Sequence, residues 1–111
     1  MKSLTLIRQQ LQAGSFDFTR HAFKRAIERN ISEQEISAAG AVADIIEDYP
    51  DDKYAPSALL LGFTQSVGVA ALVEHRPLHI QVSRIDSDST RIITLYEPDE
   101  QEWINYRIRR K

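Results

Sequence analysis

Cysteine is absent from the 111 residues. That removes disulfide staples, thiolate nucleophiles and cysteine-based zinc sites together. Glycine and proline are scarce, at four each, and scattered, so no Pro/Gly-rich linker, low-complexity tract or repeat divides the chain. The expectation is a single domain over residues 1–111. No apolar run approaches the roughly 20 residues that a membrane-crossing helix needs. Met1-Lys2-Ser3-Leu4 leads into the polar "RQQLQ" rather than into a sustained apolar core with a small-residue cleavage site, so no secretory leader is read and the expected location is the cytoplasm. Strong net charge is missing as well: a balance of −2 argues against a protein that coats nucleic acid over its whole surface.

What is present is 42% hydrophobic and 27% charged residues, the mixture of a globular domain large enough for one core. The charge is uneven. Residues 1–31 hold six basic groups, Lys2, Arg8, Arg20, Lys24, Arg25 and Arg29, against the two acids Asp17 and Glu28. Residues 32–56 reverse that, with Lys53 alone among seven acids, and the tail "YRIRRK" is basic again.

Local signals set the elements. Ser3 is placed to cap a helix with apolar Leu4, Ile7 and Leu11, and Gly14 supplies a left-handed stop. After a short extended "SFDF", Thr19 caps a second helix over 20–29, with Asn30 as its exit. Ser32-Glu33-Gln34-Glu35 is a capping box that opens a third helix ending near Gly40. From there the period turns strand-like: "DIIEDY" (44–49), "ALLLGF" (58–63), "LHIQVSRI" (78–85) and "TRIITLY" (90–96), the last two joined by "DSDS" at hairpin length. The apolar 67–75 is ambiguous and read as strand, and 99–111 as a short helix or ordered tail. Helices first and a meander second give an α+β fold, with N-terminal helices packed on one face of a mostly antiparallel four- to five-stranded sheet.

Two faces carry candidate chemistry. On the second helix Ala22, Phe23, Ala26, Ile27 and Asn30 share the arc expected to pack on the sheet, while His21, Arg25 and Arg29 project beside it. The plain alternative is a solvated face on which Glu28 and Lys24 are local partners. In the last hairpin, alternation puts His79 and Gln81 opposite Leu78, Ile80 and Val82, and puts Thr94 and Tyr96, together with Ile92, opposite Ile93 and Leu95. If the helix flank and this polar face look into one hollow, His21 or His79 is a proton acceptor near neutral pH. Arg25 and Arg29 then clamp a phosphate, Tyr96 donates a proton or stacks on a base, and Gln81 and Thr94 bind substrate. That set suits RNA cleavage without a metal or other cofactor. A His pair binding a metal is weaker, since no third ligand falls at suitable spacing.

The ordered succession "FTRHAFKRAIERNIS", "IIEDYPDD", "PSALLLGF", "PLHIQV" and "IITLYEPDEQEW" resembles the bacterial family called domain of unknown function 4258, over roughly residues 16–110. The resemblance implies a RelE-like antiparallel sheet backed by N-terminal helices. It also implies a ribonuclease toxin of a toxin–antitoxin pair, with RNA as substrate and a cognate antitoxin, often of zinc-finger type, as partner. It points to His21, Arg25, Arg29, His79, Thr94 and Tyr96 as site residues, and leaves Pro98 and Trp103 structural. Two non-catalytic expectations stand beside it: a protein-binding module using the acidic 44–52 or the apolar 67–73, and a homodimer built through 67–73.

Overall fold

The computed structural model describes residues 1–64 and 76–111. The reading of 67–75 as strand, and 67–73 as an interface, therefore lie outside the described residues. Helix α1 spans Leu4–Gln12, strand β1 Phe16–Phe18, α2 Arg20–Glu28, α3 Glu33–Ala41, β2 Asp44–Tyr49, β3 Ser57–Phe63, β4 Pro77–Ser83 and β5 Thr90–Tyr96. Two short strands follow, β6 Trp103–Ile104 and β7 Ile108–Arg109. The caps act as their sequence suggests: Ser3 accepts from the Leu6 amide, Thr19 from Ala22, and Ser32 and Glu35 close a reciprocal capping box. Gly14 takes φ 76° and Asn30 φ 53°, the left-handed exits from α1 and α2.

The five-stranded sheet has the order β1-β5-β4-β3-β2, antiparallel except for the β1–β5 edge pair. The three helices cover one face. Ile7, Leu11, Ala22, Ala26, Ile31, Ile36 and Ala39 from the helical layer meet Leu60, Leu78, Ile80, Val82, Ile92 and Leu95 from the sheet. Helix α3 comes so close to β3 that a Cβ on Gly62 would lie 2.1 Å from the Ala39 carbonyl oxygen. Only a residue without a side chain fits there. The opposite face of β3 is buried too, with Leu59 and Leu61 each 2% exposed.

Two expectations about packing are corrected. Phe23 and Ile27 do not pack on the sheet but stand 56% and 66% exposed, because α2 contacts β5 through the narrower stripe of Ala22 and Ala26. Ile92 belongs to the helical core, not to the face of Thr94 and Tyr96: the register steps from Gln81–Thr94 to Val82–Ile92, so Ile93 is an extra residue that inverts the alternation. Lys2, one of the basic groups of the N-terminal third, lies inside the fold. It is 1% exposed, and its ammonium donates to Gln10 Oε1 at 2.7 Å, Ser87 Oγ at 3.1 Å and the Ser89 carbonyl at 2.7 Å, clasping the N-terminus to the β4–β5 loop.

The tail is not a helix. Strands β6 and β7 form a separate hairpin, Trp103 opposite Arg109 and Ile104 opposite Ile108, laid on the face of the main sheet opposite α1–α3. Asn105 and Tyr106 both have positive φ, 51° and 63°, and the Arg107 amide bonds the Ile104 carbonyl at 3.0 Å. That is the mirror-image turn that tight hairpins favour.

Candidate functional site

Strand register brings the polar residues of β4 and β5 together: His79 lies opposite Tyr96 and Gln81 opposite Thr94. Ile80 points into the helical core, so His79 must point to the other face. There it is fully buried. Its Nε2 lies 2.6 Å from the Tyr106 carbonyl oxygen and its Nδ1 3.2 Å from the Tyr96 hydroxyl. A carbonyl can only accept, so Nε2 carries the proton and Nδ1 accepts from the phenol. The Trp103 ring meets the imidazole edge-on, with centroids 4.4 Å apart. Burial pushes the His79 pKa below its ordinary value. The Tyr106 carbonyl and Glu47 oppose this and Arg109 adds to it, so the ring is neutral at pH 7. Burial pushes the half-buried Tyr96 phenol upward, so it keeps its proton.

Arg29 reaches this pair from the end of α2. Strand β1 covers β5 only as far as Ile92, and among the described residues no strand pairs with the rest of that edge. Thr19 and Arg29 fill the gap: the Thr19 hydroxyl donates to the Ile93 carbonyl at 3.1 Å, and Arg29 Nη1 to the Leu95 carbonyl at 2.8 Å. The same guanidinium lies 6.0 Å from the centre of the Tyr96 ring. Buried imidazole, half-buried phenol and exposed guanidinium are thus linked in series across the end of β5.

The other candidates are placed elsewhere. His21 and Arg25 belong to α2, across the sheet from the His79 imidazole, so the expected common hollow does not form around them. His21 is exposed in the first turn of the helix. Arg25 is engaged by Glu28 at 2.6 Å, with Lys24 at 4.0 Å from the same carboxylate, which is the local pairing of a solvated helix face. Gln81 and Thr94 share the face of His79. Gln81 donates to Ser57 Oγ at 3.1 Å, and Ser57 to Asp52 at 2.7 Å. The Gln81 side chain borders a shallow cavity of about 500 Å³ with Tyr49, Pro50, Asp51 and Asp52.

Several residues around the pair were not singled out in the sequence. Arg109 stacks on Trp103, 4.6 Å from the ring centre, and forms a two-pronged ion pair with Glu47 at 2.9–3.2 Å. Burial pushes the Glu47 carboxyl up, but hydrogen bonds from Arg109 and Tyr49 outweigh it and hold the group below the usual carboxylate range. Arg76 ties the α2–α3 junction, donating to the carbonyls of Arg29 and Asn30 and pairing with Glu35 and Glu97. The Asn105 turn between "WI" and "RIR" is a readable hairpin signal. That the hairpin folds back over His79 has no local signal.

Among the described residues no cluster of three or more His, Asp or Glu is arranged to hold a metal, and no helix is long and apolar enough to cross a membrane. The chain belongs to the family described as domain of unknown function (DUF4258), whose model matches residues 18–97. That span runs from the end of β1 through β5, so α1 and the C-terminal hairpin lie outside the matched region. No curated protein and no solved structure matches the chain.

Proposed function

We propose that this member of the DUF4258 family is a metal-independent endoribonuclease of the toxin kind, working at the end of β5 with Tyr96, His79 and Arg29. The observation that carries the reading is the Tyr96–His79 hydrogen bond with the Arg29 guanidinium beside the phenol ring. Tyr96 is the member of the pair that solvent reaches, and His79 behind it is the stronger base. As a ribose 2′-hydroxyl gives its proton to the Tyr96 oxygen, the phenolic proton passes to His79 Nδ1. The 2′-oxygen then bonds to phosphorus and the bond to the 5′-oxygen breaks. The leaving oxygen takes a proton from water, and the imidazolium returns its own to the hydroxide so formed. Arg29 offers fixed positive charge to the phosphoryl oxygens as negative charge builds on them. The toxin reading also follows what the resemblance to the family implies, and it would make an antitoxin protein the natural partner.

A second reading, a non-catalytic binding module, is favoured by one specific observation: both His79 nitrogens are already bonded within the protein and the ring is sealed under Trp103. One assay separates the two. Incubated with RNA in EDTA, the protein is expected to cleave, with Tyr96→Phe and Arg29→Ala each slower by about 10²-fold or more. Equal cleavage by all three proteins, or none by any, removes the catalytic reading and leaves the binding one.

A further inference from the structure

The C-terminal hairpin is fastened differently from the rest of the sheet. It makes no strand pairing with β2–β5; its two strands pair only with each other, and each is two residues long. Among the described residues four contacts hold it down: the buried Trp103 ring on His79, the Arg109–Glu47 and Arg107–Asp44 ion pairs to β2, and the Tyr106 carbonyl on His79 Nε2. A fifth, weaker one is the edge contact of the Tyr106 ring with Phe63, centroids 6.3 Å apart.

Its turn is also strained. Tyrosine at φ 63° is an uncommon conformation for a residue with a bulky side chain. Such residues persist where the surroundings enforce them. At Tyr106 the twisted backbone aims a carbonyl oxygen at the imidazole 2.6 Å away, which pins the ring beneath Trp103.

We propose that the hairpin of residues 103–109 is an autoinhibitory latch, which occupies His79 with Trp103 and the Tyr106 carbonyl and lifts from the sheet to admit the phosphodiester substrate. This rests on the ribonuclease reading above, which places His79 in the site, and it adds that the closed form is the inactive one. The fastening is suited to such a motion. Two ion pairs to β2, the Tyr106 carbonyl and one aromatic ring can release without breaking any strand of the main sheet, so opening is a local event separate from global unfolding.

Trp103 is the sole tryptophan, so its fluorescence reports the hairpin directly in the full-length protein. Arg109→Ala and, independently, Glu47→Gln remove the Arg109–Glu47 pair from either side, and Arg107→Ala added to either removes the second pair to Asp44 as well. Both variants are expected to expose Trp103 to acrylamide quenching while the amides of β3 and β4 keep their exchange protection, and to cleave RNA roughly three- to tenfold faster than the parent. Increased quenching with no cleavage by any of the proteins keeps the latch as a moving part and removes the ribonuclease reading instead. Quenching unchanged in both variants, or amides of 103–109 exchanging only with global unfolding, overturns the latch. Cleavage by the parent that neither variant accelerates, despite an exposed Trp103, overturns the inhibitory role.

Discussion

At the scale of single residues, His79 is the most consequential side chain of the face opposite the three helices. It is a neutral imidazole with both nitrogens bonded and an indole across its edge. Its lowered pKa makes stability depend on pH with a definite sign. Between the folded value and the unfolded value of about 6.5, the unfolded chain binds the extra proton, so stability rises with pH through that window. The stabilisation is therefore present above about pH 6.5 and is lost as pH falls below it. Denaturant midpoints compared at pH 7.5 and 5.5 are expected to show that decline in the parent and a much smaller one in His79→Gln. Equal slopes would mean that His79 ionises as freely in the fold as in the unfolded chain. The partly buried carboxylates Glu35 and Glu47, both lowered, add their loss only at more acid pH. The alternation of β4 made His79 legible as a companion of Tyr96. Its concealment was not legible, because the cover comes from residues 24 or more positions along the chain.

At the scale of elements, α2 completes an unfinished sheet edge. Thr19 does two things there: it caps the helix through the Ala22 amide at 3.1 Å and closes the Ile93 carbonyl at 3.1 Å. Thr19→Ala forfeits both and is expected to lower stability by about 1–2 kcal/mol, read from urea unfolding. Thr19→Ser should recover most of it. A loss no greater than that of an ordinary surface substitution would show that the edge is satisfied without Thr19. The caps and the period of α1, α2 and α3 were readable because they depend on residues within four positions of one another. The face that α2 buries was not. A helical wheel groups Phe23 and Ile27 with the alanines, yet only small side chains let the helix lie against β5. Phe23 instead meets Phe18 at its flank, with ring centroids 6.1 Å apart. The bulge at Ile93 is the same kind of event: strand alternation is a local rule, and one extra residue in a partnered strand overrides it.

For the molecule as a whole, the closeness of its two layers is set at Gly62. With the Ala39 carbonyl oxygen 2.1 Å from where a Cβ would stand, Gly62→Ala forces α3 away from β3. The expected cost is about 1–3 kcal/mol, the range for overpacking a tight interior. Thermal unfolding measures it, and an unchanged midpoint would mean that the layers yield freely. The strand order places the two terminal segments on the same framework: the buried Lys2 grips the β4–β5 loop on one side, and the hairpin lies on His79 on the other.

The succession of three capped helices followed by strands, the α+β class, the family and the shared face of His79, Gln81, Thr94 and Tyr96 were all determined by the sequence itself, because each follows from short-range periodicity, capping or the ordered run of motifs. Tertiary structure alone decided that Arg29, rather than Arg25 or His21, reaches Tyr96. It alone decided that Lys2 is buried and that Trp103 and Tyr106 close over His79. Those outcomes depend on which side of a sheet a distant segment falls, and that is settled by long-range packing and by where β1 stops along β5, not by any pattern within a few residues of the groups concerned.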